Sequence, residues 1–166
     1  DRTITYTADT SNGGTTVDVK AAASAGGSIY DWKLVYDAAG HLTAWTDEQG
    51  IAHSYTYDTL GRLTAVTVAD QPEASFTFTY NLADLLVKRV DGTGRGVAYN
   101  YDAAGRLILQ QDVLTQDSVS YTYDTRVQLS SQISPFGSVT TYESNYPVDP
   151  PRLTAVITAA GRHQVT

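Results

Sequence analysis

Apolar and polar residues alternate along much of this chain. His53, Tyr55 and Tyr57 fall on one side of their stretch and Ser54 and Thr56 on the other; further on, Leu63, Ala65 and Thr67 oppose Thr64, Val66 and Val68. A period of two is that of a β-strand. Both sides carry apolar groups, which fits a sheet covered on one face and half-wetted on the other. Between the two stretches stands Asp58-Thr59-Leu60-Gly61-Arg62. An aspartate in that place can accept the N–H two residues on, and a glycine three residues after it supplies the positive φ that ends a type I turn in a bulge. The pattern predicts a β-hairpin.

The hairpin recurs. YDAAGHL begins at Tyr36, YDTLGRL at Tyr57, YNLADLL at Tyr80, YDAAGRL at Tyr101 and YDTRVQL at Tyr123, at intervals of 21, 23, 21 and 22 residues. A degenerate sixth copy, YPVDPPRL, starts at Tyr146. Asp37, Asp58 and Asp102 are the expected turn carboxylates, and Gly40, Gly61 and Gly105 the expected positive-φ residues. Tyr36, Tyr57, Tyr80, Tyr101 and Tyr123, with Leu42, Leu63 and Leu107, are the expected core of the repeat. Gly50 and Gly94, each seven residues before a repeat tyrosine, mark a second turn. A period near 22 residues is too short for a helical hairpin and suits two strands with two turns. The expected fold is all-β: repeated antiparallel hairpins, 12–14 strands in all, forming a single curved sheet.

Two copies depart from the pattern. In the third, Asn81 and Asp84 replace Asp and Gly, and both can turn and tolerate left-handed φ. In the fifth, Val127 stands in the glycine place, where a β-branched residue is strained, so a different turn is expected there. The ends are also less regular. Residues 1–29 form an N-terminal segment: a hairpin around Asn12-Gly13-Gly14, followed by a loop from Ala21 to Ser28. The array itself is assigned to 30–166. Pro147, Pro150 and Pro151 cannot donate to a strand ladder and place a loop outside the sheet. The tyrosine due seven residues after Gly161 lies beyond Thr166, so the array reads as part of a longer one.

Composition narrows the chemistry. Of 166 residues 42% are hydrophobic but only 17% charged, and polarity comes from hydroxyls and amides, including 12 tyrosines. The net charge of −7, with 11 scattered basic residues against 18 acidic ones, argues against nucleic acid, whose phosphates need basic partners. No apolar run approaches the ~20 residues that span a bilayer. With no cysteine there is no thiolate nucleophile, disulfide or Cys-held zinc. His41, His53 and His163 share no metal-ligand spacing, and the three glutamates, Glu48, Glu73 and Glu143, lie in or beside turns. A residue needed once for catalysis has no reason to recur every 22 positions, whereas a turn does. The expectation is no enzyme, no metal and no cofactor. Arg62 and Arg106 are expected to pair with acidic neighbours or to cover tyrosine rings.

The heptads YDAAGHL, YDTLGRL and YDAAGRL resemble the YD repeats of the RHS family, which includes bacterial Rhs polymorphic toxins, the B and C components of insecticidal Tc toxins, and teneurins. The resemblance runs from about Tyr30 to the C-terminus. It implies a β-sheet that spirals into a hollow shell, a polypeptide toxin cargo or adjoining repeats as partners, and a secreted or cell-surface, bacterial protein. The conserved proline-flanked segment that ends such shells is not recognisable, and no toxin sequence follows. The implied role is a structural shell segment enclosing a cargo. The alternatives are a carbohydrate-binding module and an adhesion module. Trp45, placed by simple alternation with Thr43 and Asp47 opposite Leu42 and Ala44, is the candidate sugar contact, and 143–151 the candidate adhesive loop.

Overall fold

The computed structural model describes residues 2–10, 13–23, 30–145 and 152–158. Among them the chain forms fourteen strands: β1 (Arg2–Asp9), β2 (Thr15–Ala23), β3 (Tyr30–Tyr36), β4 (Leu42–Thr46), β5 (Ala52–Tyr57), β6 (Leu63–Val68), β7 (Phe76–Tyr80), β8 (Leu86–Asp91), β9 (Gly96–Tyr101), β10 (Leu107–Asp112), β11 (Ser118–Tyr123), β12 (Leu129–Ile133), β13 (Val139–Asn145) and β14 (Arg152–Thr158). Strand order in the sheet is chain order. The sole helical element among the described residues is a 3-10 turn at Pro72–Ala74. The fold is all-β and antiparallel, as the alternation demanded.

The chain divides into two compact units, one of residues 1–79 and 90–93, the other of 80–89 and 94–166. In the first, β1 to β7 pair in succession. In the second, β9 to β14 do the same. Each of these pairs is antiparallel, so each connection can be a short turn. Alternation is clearest in β5 and β7, where every second residue is exposed. Among the described residues only Val19 and Val68 are buried hydrophobics. Stability must then come chiefly from ladder hydrogen bonds and cross-strand side-chain pairs.

The repeat turn is built as expected in its first copies. The Asp58 N–H donates to the Arg62 carbonyl and the Gly61 N–H to the Asp58 carbonyl, both at 3.0 Å. Asp58 Oδ1 accepts from the N–H groups of both Leu60 and Arg62 at 3.0 Å. Gly61 has φ +79°. The same backbone and side-chain bonds recur at Asp37, Asn81, Asp102 and Asp124. They recur again in the second turn at Asp47, which ends at Gly50 with φ +78°.

Four expectations need correction. The fifth copy does not adopt another turn: Val127 takes φ +68° and its N–H donates to the Asp124 carbonyl at 3.0 Å. The flanking strands β11 and β12, held in register, fix the loop, and the β-branched residue accepts the strain. Ala21 to Ala23 belong to β2, paired with β1, rather than to a loop. The other two corrections share one cause, the bulge that follows each tyrosine turn. Tyr57 pairs with Leu63, but Thr56 pairs with Ala65, so one residue is extra. Leu63 therefore shares a face with Val66 and Val68, not with Ala65 and Thr67. By the same shift Leu42 lies opposite Tyr36 and Trp45 opposite Leu34, which puts Trp45 on the face of Leu42. Residues 146–151 of the sixth copy and the proline loop, with Gly161 and His163, lie outside the described residues, while 143–145 belong to β13 and 152–158 form β14.

Candidate functional site

The chemistry-bearing residues of the repeat converge where one hairpin meets the next. In the first unit Tyr57 Oη donates to the Leu42 carbonyl at 2.9 Å. In the second, Tyr101 Oη donates to the Leu86 carbonyl at 2.7 Å and Tyr123 Oη to the Leu107 carbonyl at 2.8 Å. Each acceptor is the leucine that follows the preceding turn. The repeat tyrosine thus ties its own hairpin to the one before it. Its half-buried hydroxyl needs a partner, and a carbonyl beside a bulge supplies one.

A second tie lies over the ring. The register that pairs Ala44 with Ser54 carries His41 opposite Tyr57, and the two rings stack at 4.7 Å. The register that pairs Leu109 with Ser120 carries Arg106 opposite Tyr123, and the guanidinium carbon sits 4.8 Å from the ring centroid. Arg106 also bonds back to Asp102, Nε to Oδ2 at 2.6 Å, as Arg62 does to Asp58 at 2.7 Å. His41 Nδ1 lies 3.0 Å from Asp37 Oδ2. One side chain thus joins the carboxylate of its own turn to the aromatic ring of the next hairpin. In the third copy Leu85 stands at this place in the turn, with its Cδ1 3.6 Å from where a Cβ on Gly105 would stand.

These bonds hold the turn carboxylates below the usual carboxylate range. For Asp58 and Asp102 the main cause is the backbone N–H of Arg62 or Arg106, with the guanidinium assisting. For Asp37 it is the His41 side chain. Burial, the largest influence on Tyr57 and Tyr101, raises both phenols.

Trp45 is half-buried and stacks on His53 across β4 and β5 at 4.4 Å, with His53 Nε2 3.3 Å from Asp47 Oδ2. One ring face of Trp45 is therefore occupied by His53. Among the described residues no group of three or more His, Cys, Asp or Glu side chains could hold a metal ion. No helix there is long and apolar enough to cross a membrane. Alternation alone could not reveal the tyrosine acceptors or the ring covers, because both depend on register between hairpins.

Comparison with known proteins agrees with this geometry. Residues 36–73 match the RHS repeat. No curated protein matches the chain in sequence. Among solved structures, the complex TcdB2–TccC3–Cdc42 matches with a TM-score of 0.55 at 16% identity, over 87% of this chain and 10% of that one. TcdB2–TccC3 without its hypervariable C-terminal region gives 0.54 at 17% identity, with the same coverage. The Tc holotoxin pore of Photorhabdus luminescens, carrying a mutated TccC3, gives 0.55 at 16%, again over 87% and 10%. At such identity the likeness is one of fold. The chain spans about a tenth of the length of these proteins.

Proposed function

We propose that this chain is a wall segment of an Rhs- or Tc-type toxin shell, secreted or displayed at a bacterial surface, that encloses a polypeptide cargo. The observation that carries the proposal is the tyrosine tie from hairpin to hairpin, repeated at Tyr57, Tyr101 and Tyr123, in a chain whose fold matches that of TcdB2–TccC3. Such ties let a sheet grow hairpin by hairpin, each unit gaining stability from its neighbours. The role is structural, and its mechanism is exclusion rather than chemistry.

The faces of the sheet support this assignment. In the first unit the register brings Ser54, Thr56, Thr67 and Thr77 to one face, all exposed. The Thr56 and Thr64 hydroxyls lie 3.1 Å apart and satisfy each other. This stretch of small, uncharged hydroxyls offers a cargo little to pair with, and the charged residues that the register brings to the same face, Lys33 and Asp18, stand opposite each other on β3 and β2. Limited proteolysis of the full-length protein tests the role. An internal polypeptide should resist protease in the native protein and become susceptible when Tyr57→Ala and Tyr101→Ala are combined. A parent whose interior is filled by its own wall side chains would refute encapsulation.

A further inference from the structure

The first repeat tyrosine lacks the two ties that Tyr57 and Tyr123 have. Across β2 and β3 the residue opposite Tyr36 is Thr15. This is the position that His41 holds against Tyr57 and Arg106 against Tyr123, and threonine is too short to cover a ring. The acceptor matching the Leu42 and Leu107 carbonyls is the Thr16 carbonyl, yet among the described residues Tyr36 Oη makes no hydrogen bond and no ring or cation stacks on Tyr36. Where the cover would lie there is instead an open cavity of about 530 Å³, lined by Gly14, Thr15, Val17, Tyr36, Asp37 and Gly40. The preceding turn cannot fill it with a larger residue at Gly14, because a Cβ there would overlap the Tyr36 carbonyl oxygen.

We propose that this cavity is a binding site for an arginine side chain presented by another polypeptide segment. The chain itself shows which group fits. In the occupied counterpart the guanidinium carbon sits 4.8 Å from the tyrosine ring centroid, and Tyr36 offers the same ring at the head of the same kind of turn, with Gly40 where that copy carries Val127. The charge is complementary: Asp37 lines the cavity, and its carboxylate accepts from the Ala39 and His41 N–H groups, which favours the ionised form. Arginine suits such a site better than lysine, because its planar, weakly hydrated head can stack and hydrogen-bond at once. Val17 and the threonine methyl groups provide an apolar wall for the methylene stem. The proposal concerns a cavity wholly within the first unit and does not depend on what the assembled wall encloses.

The test is a titration of the full chain with the peptide acetyl-Gly-Arg-Leu-amide, followed by NMR. The Tyr36 ring and the Asp37 to Gly40 amides should shift. A citrulline peptide of the same shape, uncharged, should bind roughly fivefold or more weakly, in line with loss of a cation–π contact. Thr15→Arg should fill the cavity from within, abolish peptide binding and move the Tyr36 ring resonances upfield in the absence of peptide. Equal binding of the arginine and citrulline peptides, or shifts that spare Tyr36, would overturn the proposal. Because the peptide comparison uses the unaltered chain, it decides the matter even where Thr15→Arg does not fold.

Discussion

Tyr101 reaches back fifteen residues to place its hydroxyl 2.7 Å from the Leu86 carbonyl, across the boundary between one hairpin and the next. Tyr57 makes the same reach to Leu42, and Tyr123 a reach one residue longer to Leu107. Tyr57, Tyr101 and Tyr123 are therefore joints between copies, whereas the aspartates that follow them each shape a single turn.

Tyr101→Phe isolates the joint, since it keeps the ring and deletes the donor. It should destabilise the second unit by about 0.5–1.5 kcal/mol, the net worth of one hydrogen bond, and leave the Leu86 carbonyl to water. Urea unfolding followed by tyrosine fluorescence measures the change. Tyr99→Phe serves as control, because Tyr99 Oη has no hydrogen-bond partner among the described residues and its loss should move the midpoint little.

Val127 stores strain in a turn whose other copies use glycine or a polar residue. A β-branched residue in the left-handed region costs about 1–2 kcal/mol, and glycine gives back part of that through its greater freedom in the unfolded chain. Val127→Gly should accordingly raise stability by about 1 kcal/mol, and Gly105→Val should lower it by a similar amount. Thermal unfolding of the two variants checks both signs.

The same valine shows where the sequence was legible and where it was not. Asp-x-x-Gly announces its turn because side-chain acceptor and positive φ are local properties of four residues. At 124–128 the local signal says otherwise, yet the strands on either side impose the turn all the same. Trp45 went astray for a related reason. A bulge adds one residue inside β4, between Leu42 and Ala44, so alternation counted from Leu42 puts the later side chains of that strand on the wrong face. The ties at Tyr57 and Tyr123 were further from view, because nothing in one heptad says which carbonyl of the preceding heptad lies under its hydroxyl. The turn at Asp112 shows a milder failure: its loop is one residue longer and its positive φ falls on Gln116, so the usual spacing is absent.

Gly92 interrupts the repeat and is held by the 3-10 turn. Its N–H donates to the Pro72 carbonyl at 2.8 Å and to the Ser75 carbonyl at 2.9 Å. A Cβ would stand 2.6 Å from the Pro72 oxygen and 3.0 Å from its Cα, both backbone atoms that cannot rotate away. Gly92→Ala should break this clamp and cost roughly 2 kcal/mol, about what two net hydrogen bonds contribute. Hydrogen exchange should locate the loss at the Gly92 amide.

Acid should loosen the turns in a copy-dependent way. Asp58 and Asp102 have folded values below the unfolded one, chiefly through the backbone N–H groups of Arg62 and Arg106. A lowered carboxylate contributes stability that is complete above its unfolded value, near pH 4, and is lost as pH falls through the folded value. The third copy supplies an internal contrast: Asn81 Oδ1 accepts the same two N–H groups, from Ala83 at 2.9 Å and Leu85 at 3.0 Å, with no proton to gain. Replacing Asp58 and Asp102 together by asparagine should therefore flatten the fall in melting temperature between pH 4 and pH 2. Asn81→Asp should steepen it, although Leu85 offers no cation, because backbone N–H groups are the main cause at the native aspartates. A melting curve unchanged by Asn81→Asp across that range would mean that the guanidinium, not the backbone, governs the acid response.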